Sequence, residues 1–210
     1  MQIDDDTAAL LDALLPQVPF DGWTRISVRN ALASLGQPPE DAVLMFPNGA
    51  GEMIESAFAL MDQRMEAEAA AADLAAHRLP ARVRAVIAIR LAQMRGNKEA
   101  IRRAFSWLSL PMHAPVAARI TAATVDAIWH AAGDTSADFS WYTKRGILAA
   151  VYSATLLYWL RDHSEGDEDT LHFLDRRLAD VGRIGKLRKR LESRCAGLLP
   201  RRPAPIAPHA

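Results

Sequence analysis

The chain has a single cysteine, Cys195, in 210 residues. That excludes an intrachain disulfide framework and any cysteine cluster for zinc, and it fits a reducing compartment. No apolar run reaches about 18 residues, so no transmembrane helix is expected. There is no Gly-rich phosphate loop and no Gly-x-Ser-x-Gly elbow. No glutamate is followed three residues later by a histidine, so the ligand pairs of a di-iron bundle are missing. The histidines His77, His113, His130, His163, His172 and His209 are scattered. Asp126 and His130 lie four apart, but one such pair is too few ligands for a metal site. No catalytic site, metal or cofactor is therefore expected, and the chain reads as a non-enzyme. The opening Met1-Gln2-Ile3-Asp4-Asp5-Asp6 is unlike a secretory signal or an Arg-rich transit peptide. The expectation is a bacterial, cytoplasmic chain, or one whose transit segment has been removed.

Glycine and proline are not in excess, half the residues are hydrophobic, and alanine is abundant. An all-α fold is expected, with one sizeable core. The net charge is zero but unevenly spread. Residues 176–210 carry ten Lys/Arg against two Asp/Glu, so the tail is +8 and the remainder −8. A basic tail on an acidic body points to a membrane surface or nucleic acid, or is simply solvated.

Residues 5–16 form a first helix with Leu10, Leu11, Leu14 and Leu15 on one face. Ser27 caps a second through Leu35, and Pro39 opens a third that ends at Phe46. A long helix runs from Glu52 to about His77 and turns Met53, Ala57, Leu60 and Met61 inward. Three short helices before a long one resemble the DNA-binding head of tetracycline-repressor-type regulators. The third helix would be the DNA reader, yet Pro39-Glu40-Asp41-Ala42-Val43-Leu44-Met45-Phe46 offers two carboxylates and no cation. It would repel phosphates, which argues against nucleic acid as a partner.

Further helices follow over 80–95, 98–109, 116–131, 138–162 and 167–181. Val83, Val86, Ile87, Arg90, Leu91 and Met94 recur at helical spacing. The 138–162 helix is apolar around much of its circumference, so bundle core, a dimer interface or an apolar ligand must cover it. Its apolar surplus predicts a long cavity lined by Leu91, Met94, Phe105, Leu108, Ile128, Trp129, Leu148, Val151 and Tyr152.

The most informative block is Thr124-Val125-Asp126-Ala127-Ile128-Trp129, then Ala132-Gly133-Asp134-Thr135-Ser136-Ala137-Asp138-Phe139-Ser140-Trp141-Tyr142-Thr143-Lys144-Arg145. Asp138, Trp141, Tyr142 and Arg145 share one helix face. That face is either an interface hot spot or a core stripe with a surface ion pair. The block resembles the signature of the ninth coenzyme Q biosynthesis protein family, as do Arg82-Val83-Arg84-Ala85-Val86, Leu160-Arg161-Asp162-His163-Ser164 and Glu168–Arg177. Ser140 and Lys144 depart from the family's usual Asn and Arg. The resemblance implies a tetracycline-repressor-like fold without DNA binding, a homodimer, and a cavity for isoprenoid quinone precursors or phospholipid. It also implies delivery of ubiquinone precursors to a di-iron hydroxylase docked on Asp138, Trp141, Tyr142 and Arg145. The implied location is cytoplasmic and peripheral on the inner membrane, or on the matrix side if the source is mitochondrial.

From Val181, apolar residues recur as a helical stripe, with cations between them. Ile184, Lys186, Leu187, Arg188, Lys189, Arg190, Leu191, Arg194 and Leu198 are the expected membrane contacts, the rival being a helix packed on the body. The expected division is a degenerate helix-turn-helix over 1–50, a bundle over 51–181, a basic amphipathic helix over 182–199 and a disordered tail over 200–210. The rival function is a ligand-sensing transcriptional regulator of tetracycline-repressor type.

Overall fold

The structure is a computed structural model that describes residues 2–134 and 140–196, with side chains described over 2–134 and 142–183. Its helices are α1 (Asp5–Leu14), α2 (Val18–Asp21), α3 (Arg25–Ser34), α4 (Ala42–Met45), α5 (Ala50–Ala71), α6 (Leu79–Met94), α7 (Lys98–Leu108), α8 (Ala114–Ala131), α9 (Ser140–Trp159) and α10 (Glu168–Ala196). No strand occurs among the described residues.

The head builds on α1, whose first turn is capped by Asp4 accepting from the Thr7 amide at 2.9 Å. Leu10, Leu11 and Leu14 are buried as their spacing predicts. The second helix starts earlier than expected. Thr24 is its cap, and Ser27 lies inside the helix, buried, with its hydroxyl donating to the Gly22 carbonyl. The segment from Pro39 to Phe46 is a 3-10 turn over Pro39–Asp41 followed by the single turn of α4. Two prolines at its start and one at its end leave too few residues to propagate an α-helix.

Gly49 at φ +73° opens α5, and Asp73 at φ +43° in the left-handed region stops it, earlier than His77. Helix α5 packs on α6 and α8, α9 lies against α8 and α10, and α10 reaches α6. One apolar core runs without interruption from Leu10 in the head to Leu174 on α10. The Trp23 indole N–H donates to the Ala100 carbonyl at 3.2 Å and so ties the head to α7. Helix α10 continues through Gly182 and Gly185 to Ala196. A glycine inside a helix costs about 1 kcal/mol, which does not by itself end the helix.

Candidate functional site

Helix α9 divides the apolar surface that the sequence assigns to one long cavity. At about 100° per residue, its side chains face two flanks. On one flank Leu148 and Val151 meet Val83, Trp129 and Leu178 around a cleft of about 210 Å³. On the other, Tyr152 and Leu156 meet Phe58, Phe105, Leu108 and Ile120 around a cleft of about 270 Å³. Leu91, Met94 and Ile128 line neither; each is at most 1% exposed and belongs to the core. The expectation of a single cavity is therefore corrected to two clefts with α9 between them.

The second cleft is extended. It shares Phe105, Ser109 and Leu157 with a larger groove of about 890 Å³ that reaches Tyr158, Arg161, His163 and Phe173. The Tyr158 and Phe173 rings stack there at 4.7 Å. The apolar cleft thus adjoins a surface groove in which Phe105, Tyr158 and Phe173 stand among Arg102, Arg161, His163 and Asp169.

Behind the second cleft lies a buried polar cluster. Arg90 is fully buried, with Nη2 3.0 Å from Asp62 Oδ1 and 3.3 Å from the Phe58 carbonyl. The Thr124 hydroxyl donates to Asp62 Oδ2 at 3.0 Å. Burial pushes the Asp62 carboxyl up to about 6, against the opposing pull of Arg90 and Thr124. Arg90 Nε and Nη1 and the Tyr152 hydroxyl have no hydrogen-bond partner within the protein. Burial also pushes the Tyr152 phenol up. The sequence reading passed over this cluster. Its signal was Arg90 standing on the inward stripe between Ile87 and Leu91, a position a cation occupies only when it is paired.

A second polar knot fixes the corner between α9 and α10. Asp162 accepts from the amide and hydroxyl of Ser164 at 2.7 and 2.6 Å, and from those of Thr170 at 2.9 and 2.5 Å. Burial alone would raise its carboxyl, but these donors outweigh it and hold the group well below the usual carboxylate range. Lys98 donates to the Asp162 carbonyl at 2.7 Å and lies 4.6 Å from the Trp159 ring centroid. This knot accounts for the Leu160–Ser164 segment singled out in the sequence.

Of the expected docking face, Tyr142 is 78% exposed. Arg145 forms an ion pair with Asp126 of α8. Asp126 is thereby engaged, and His130 Nδ1 lies 3.0 Å from Glu66. Among the described residues no group of three metal-capable side chains occurs. Asp138 lies outside the described residues, and so does the side chain of Trp141. The same holds for the side chains of Ile184, Lys186, Leu187, Arg188, Lys189, Arg190, Leu191 and Arg194, and for Leu198 altogether. No helix among the described residues is long and apolar enough to cross a membrane.

Comparison with known proteins agrees with the fold and the signature block. The COQ9 family profile matches residues 114–185, which span α8, α9 and the first half of α10. The chain is 33% identical over 191 residues to "Ubiquinone biosynthesis protein COQ9, mitochondrial" of Rattus norvegicus, covering 88% of this chain and 61% of that protein. It is 33% identical to the Homo sapiens protein of the same name, covering 60% of it. To the Drosophila melanogaster protein it is 33% identical over 188 residues, covering 56% of it. The chain thus spans about three fifths of the length of these relatives. A solved TetR transcriptional regulator from Nitrosomonas europaea superposes with a TM-score of 0.66 at 23% identity, covering 84% of this chain and 97% of that one. That likeness gives the fold: an all-α, tetracycline-repressor-like bundle.

Proposed function

We propose that this chain, whose residues 114–185 match the COQ9 family profile, is a lipid-binding accessory protein of ubiquinone biosynthesis. In this reading it takes isoprenoid quinone precursors from the membrane and presents them to the di-iron demethoxyubiquinone hydroxylase. It works as a homodimer and performs no catalysis of its own. The observation that carries the reading is the extended apolar cleft of the α9 flank, bounded by Phe105, Leu108, Tyr152, Leu156 and Leu157 and continuous with the surface groove. A flexible prenyl tail needs apolar walls and a way out, and the cleft beside its aromatic-bearing groove supports that use. The exposed Tyr142 at the start of α9 supports a partner surface within the same matched segment. The basic α10 extension, carrying Lys186, Arg188, Lys189, Arg190 and Arg194, supports the membrane part.

The fold neighbour is a regulator, but the α4 region of this chain sets Glu40 and Asp41 before exposed Val43 and Leu44, chemistry that does not suit a DNA groove. Native mass spectrometry of the purified protein, followed by lipid extraction, tests the proposal. Co-purifying isoprenoid quinones or their precursors are the expected result. A protein without lipid that retains a promoter fragment in a low-salt gel shift would overturn it.

A further inference from the structure

The apolar cleft does not end in apolar residues. Tyr152 and Thr124 stand on its wall, and both reach the buried Arg90–Asp62 pair: Thr124 through its hydrogen bond to Asp62, Tyr152 through its unpartnered hydroxyl beside the guanidinium. Asp62 also lines the neighbouring cleft between α5 and α8, which shares Phe58 and Ile120 with the first. The cluster is thus sandwiched between two clefts. Arg90 Nε, Arg90 Nη1, the Tyr152 hydroxyl and Asp62 Oδ1 make no well-directed hydrogen bond within the protein, although the Tyr152 oxygen lies close enough to Arg90 to be stabilised by it. Leaving such groups unpaired in a core is costly, so a partner that supplies acceptors is favoured there.

We propose that Tyr152 and the Arg90–Asp62 pair receive the oxygenated ring of a prenylated aromatic lipid, with the tail lying outward along the cleft. This rests on the lipid reading above and adds the head-group specificity that an apolar cleft alone cannot supply. The donors match ring carbonyl, methoxy or hydroxyl oxygens, and Asp62 can accept from a ring hydroxyl. The outer groove sets Phe105, Tyr158 and Phe173 among Arg102, Arg161, His163 and Asp169, while the inner wall of the cleft is backed by the Arg90–Asp62 pair. Of the cluster, Tyr152 and Thr124 stand on the wall of this cleft, and the fully buried Arg90 lies behind them. The half-buried Phe105, tilted against Phe58 at 6.4 Å, is the ring that must give way as the head group enters.

The test uses the full chain and two ligands with the same tail: a dimethoxy-methyl-benzoquinone carrying two isoprene units, and the corresponding two-isoprene alcohol with no ring. Affinities are measured by calorimetry for the wild type and Tyr152→Phe. The substitution keeps the ring and removes only an unpartnered oxygen, so the melting temperature should hold. Quinone affinity should fall about three- to tenfold, the range of one hydrogen bond, while alcohol affinity stays the same. Unchanged quinone affinity would mean that buried water or nothing pairs this hydroxyl, and the head-group assignment falls while the lipid reading stands. An equal loss for both ligands would overturn it too, as a general packing effect. If the wild type binds neither ligand, the lipid reading and this inference fail together.

Discussion

Two aspartates a hundred positions apart both expose little surface, but Asp62 lies deep in the middle of the bundle and Asp162 lies shallow at the α9–α10 corner. They are 8% and 6% exposed, yet their carboxyls move in opposite directions, Asp62 up to about 6 and Asp162 well down. The difference lies in the depth of burial and in the donors. Asp162 receives two amides and two hydroxyls from Ser164 and Thr170, each aimed at the charged form. Asp62 receives one hydroxyl and a guanidinium nitrogen that is shared with the Phe58 carbonyl. The corner is built for structure, with every lone pair accounted for. The centre is left under-satisfied, and it is the centre that borders the cleft.

The strongest way to break this comparison is to remove Arg90. Taking one partner from a buried ion pair costs about 3–5 kcal/mol, because the other charge stays uncompensated. Arg90→Met should therefore cost that much in urea unfolding. A loss below about 1 kcal/mol would mean that the pair is incidental to the fold. The corner should be the next most sensitive. Hydrogen bonds to a charged acceptor contribute about 1.5–3 kcal/mol, and Asp162→Ala removes several at once while freeing the start of α10. A net loss of about 2–3 kcal/mol is expected after relaxation, read from the same unfolding curves. Amide exchange over residues 164–170 should rise in that variant and not in Arg90→Met.

Acid titration sharpens the contrast. The folded-state value of Asp62 lies above its ordinary value of 3.8, so between 3.8 and about 6 the native protein binds more protons than the unfolded chain. Asp62 therefore contributes stability that declines as pH rises through that window. Its size is on the order of 3 kcal/mol. Asp162 has the opposite sign: its contribution is present above the ordinary aspartate value and is lost as pH falls below it toward the lowered one. Asp62→Asn should flatten stability between pH 4 and 6 without altering the acid limb. Asp162→Asn should weaken the acid limb and leave the upper window alone. Thermal melts across pH 3–8 measure both.

Much of the fold was legible because it rests on period and punctuation. Leu10, Leu11 and Leu14 on α1, and Met53, Ala57, Leu60 and Met61 on α5, fall inward as their spacing requires. The 100°-per-residue pattern that finds a helix does not say which of its faces meet the same space, so residues on two flanks of α9 were assigned to one cavity. Leu91, Met94 and Ile128 look no different in sequence from Leu148 or Leu108, since core and cleft wall draw on the same apolar types. The polar cluster was visible only as an arginine out of place. Its partners Asp62 and Thr124 come from elements distant in sequence, and no local pattern joins them.

The smallest expected effect concerns a second pair, Tyr142 and Tyr152, two and a half to three turns apart on α9. Tyr152 is 3% exposed with its hydroxyl beside the Arg90 guanidinium, whereas Tyr142 is 78% exposed. An exposed side chain has little to lose on truncation, so Tyr142→Ala should shift unfolding free energy by less than about 0.5 kcal/mol. If the face docks the hydroxylase, the same substitution removes an aromatic anchor. Hot-spot truncation costs about 2 kcal/mol or more of binding, roughly a thirtyfold loss of affinity. Arg145 should behave less cleanly, because its ion pair with Asp126 links α9 to α8 and its removal touches both folding and docking. Biolayer interferometry against the purified hydroxylase, paired with melting curves on the same Tyr142→Ala sample, separates the two quantities. Full affinity with an unchanged melting temperature would remove Tyr142 from the docking face and leave it as solvated surface.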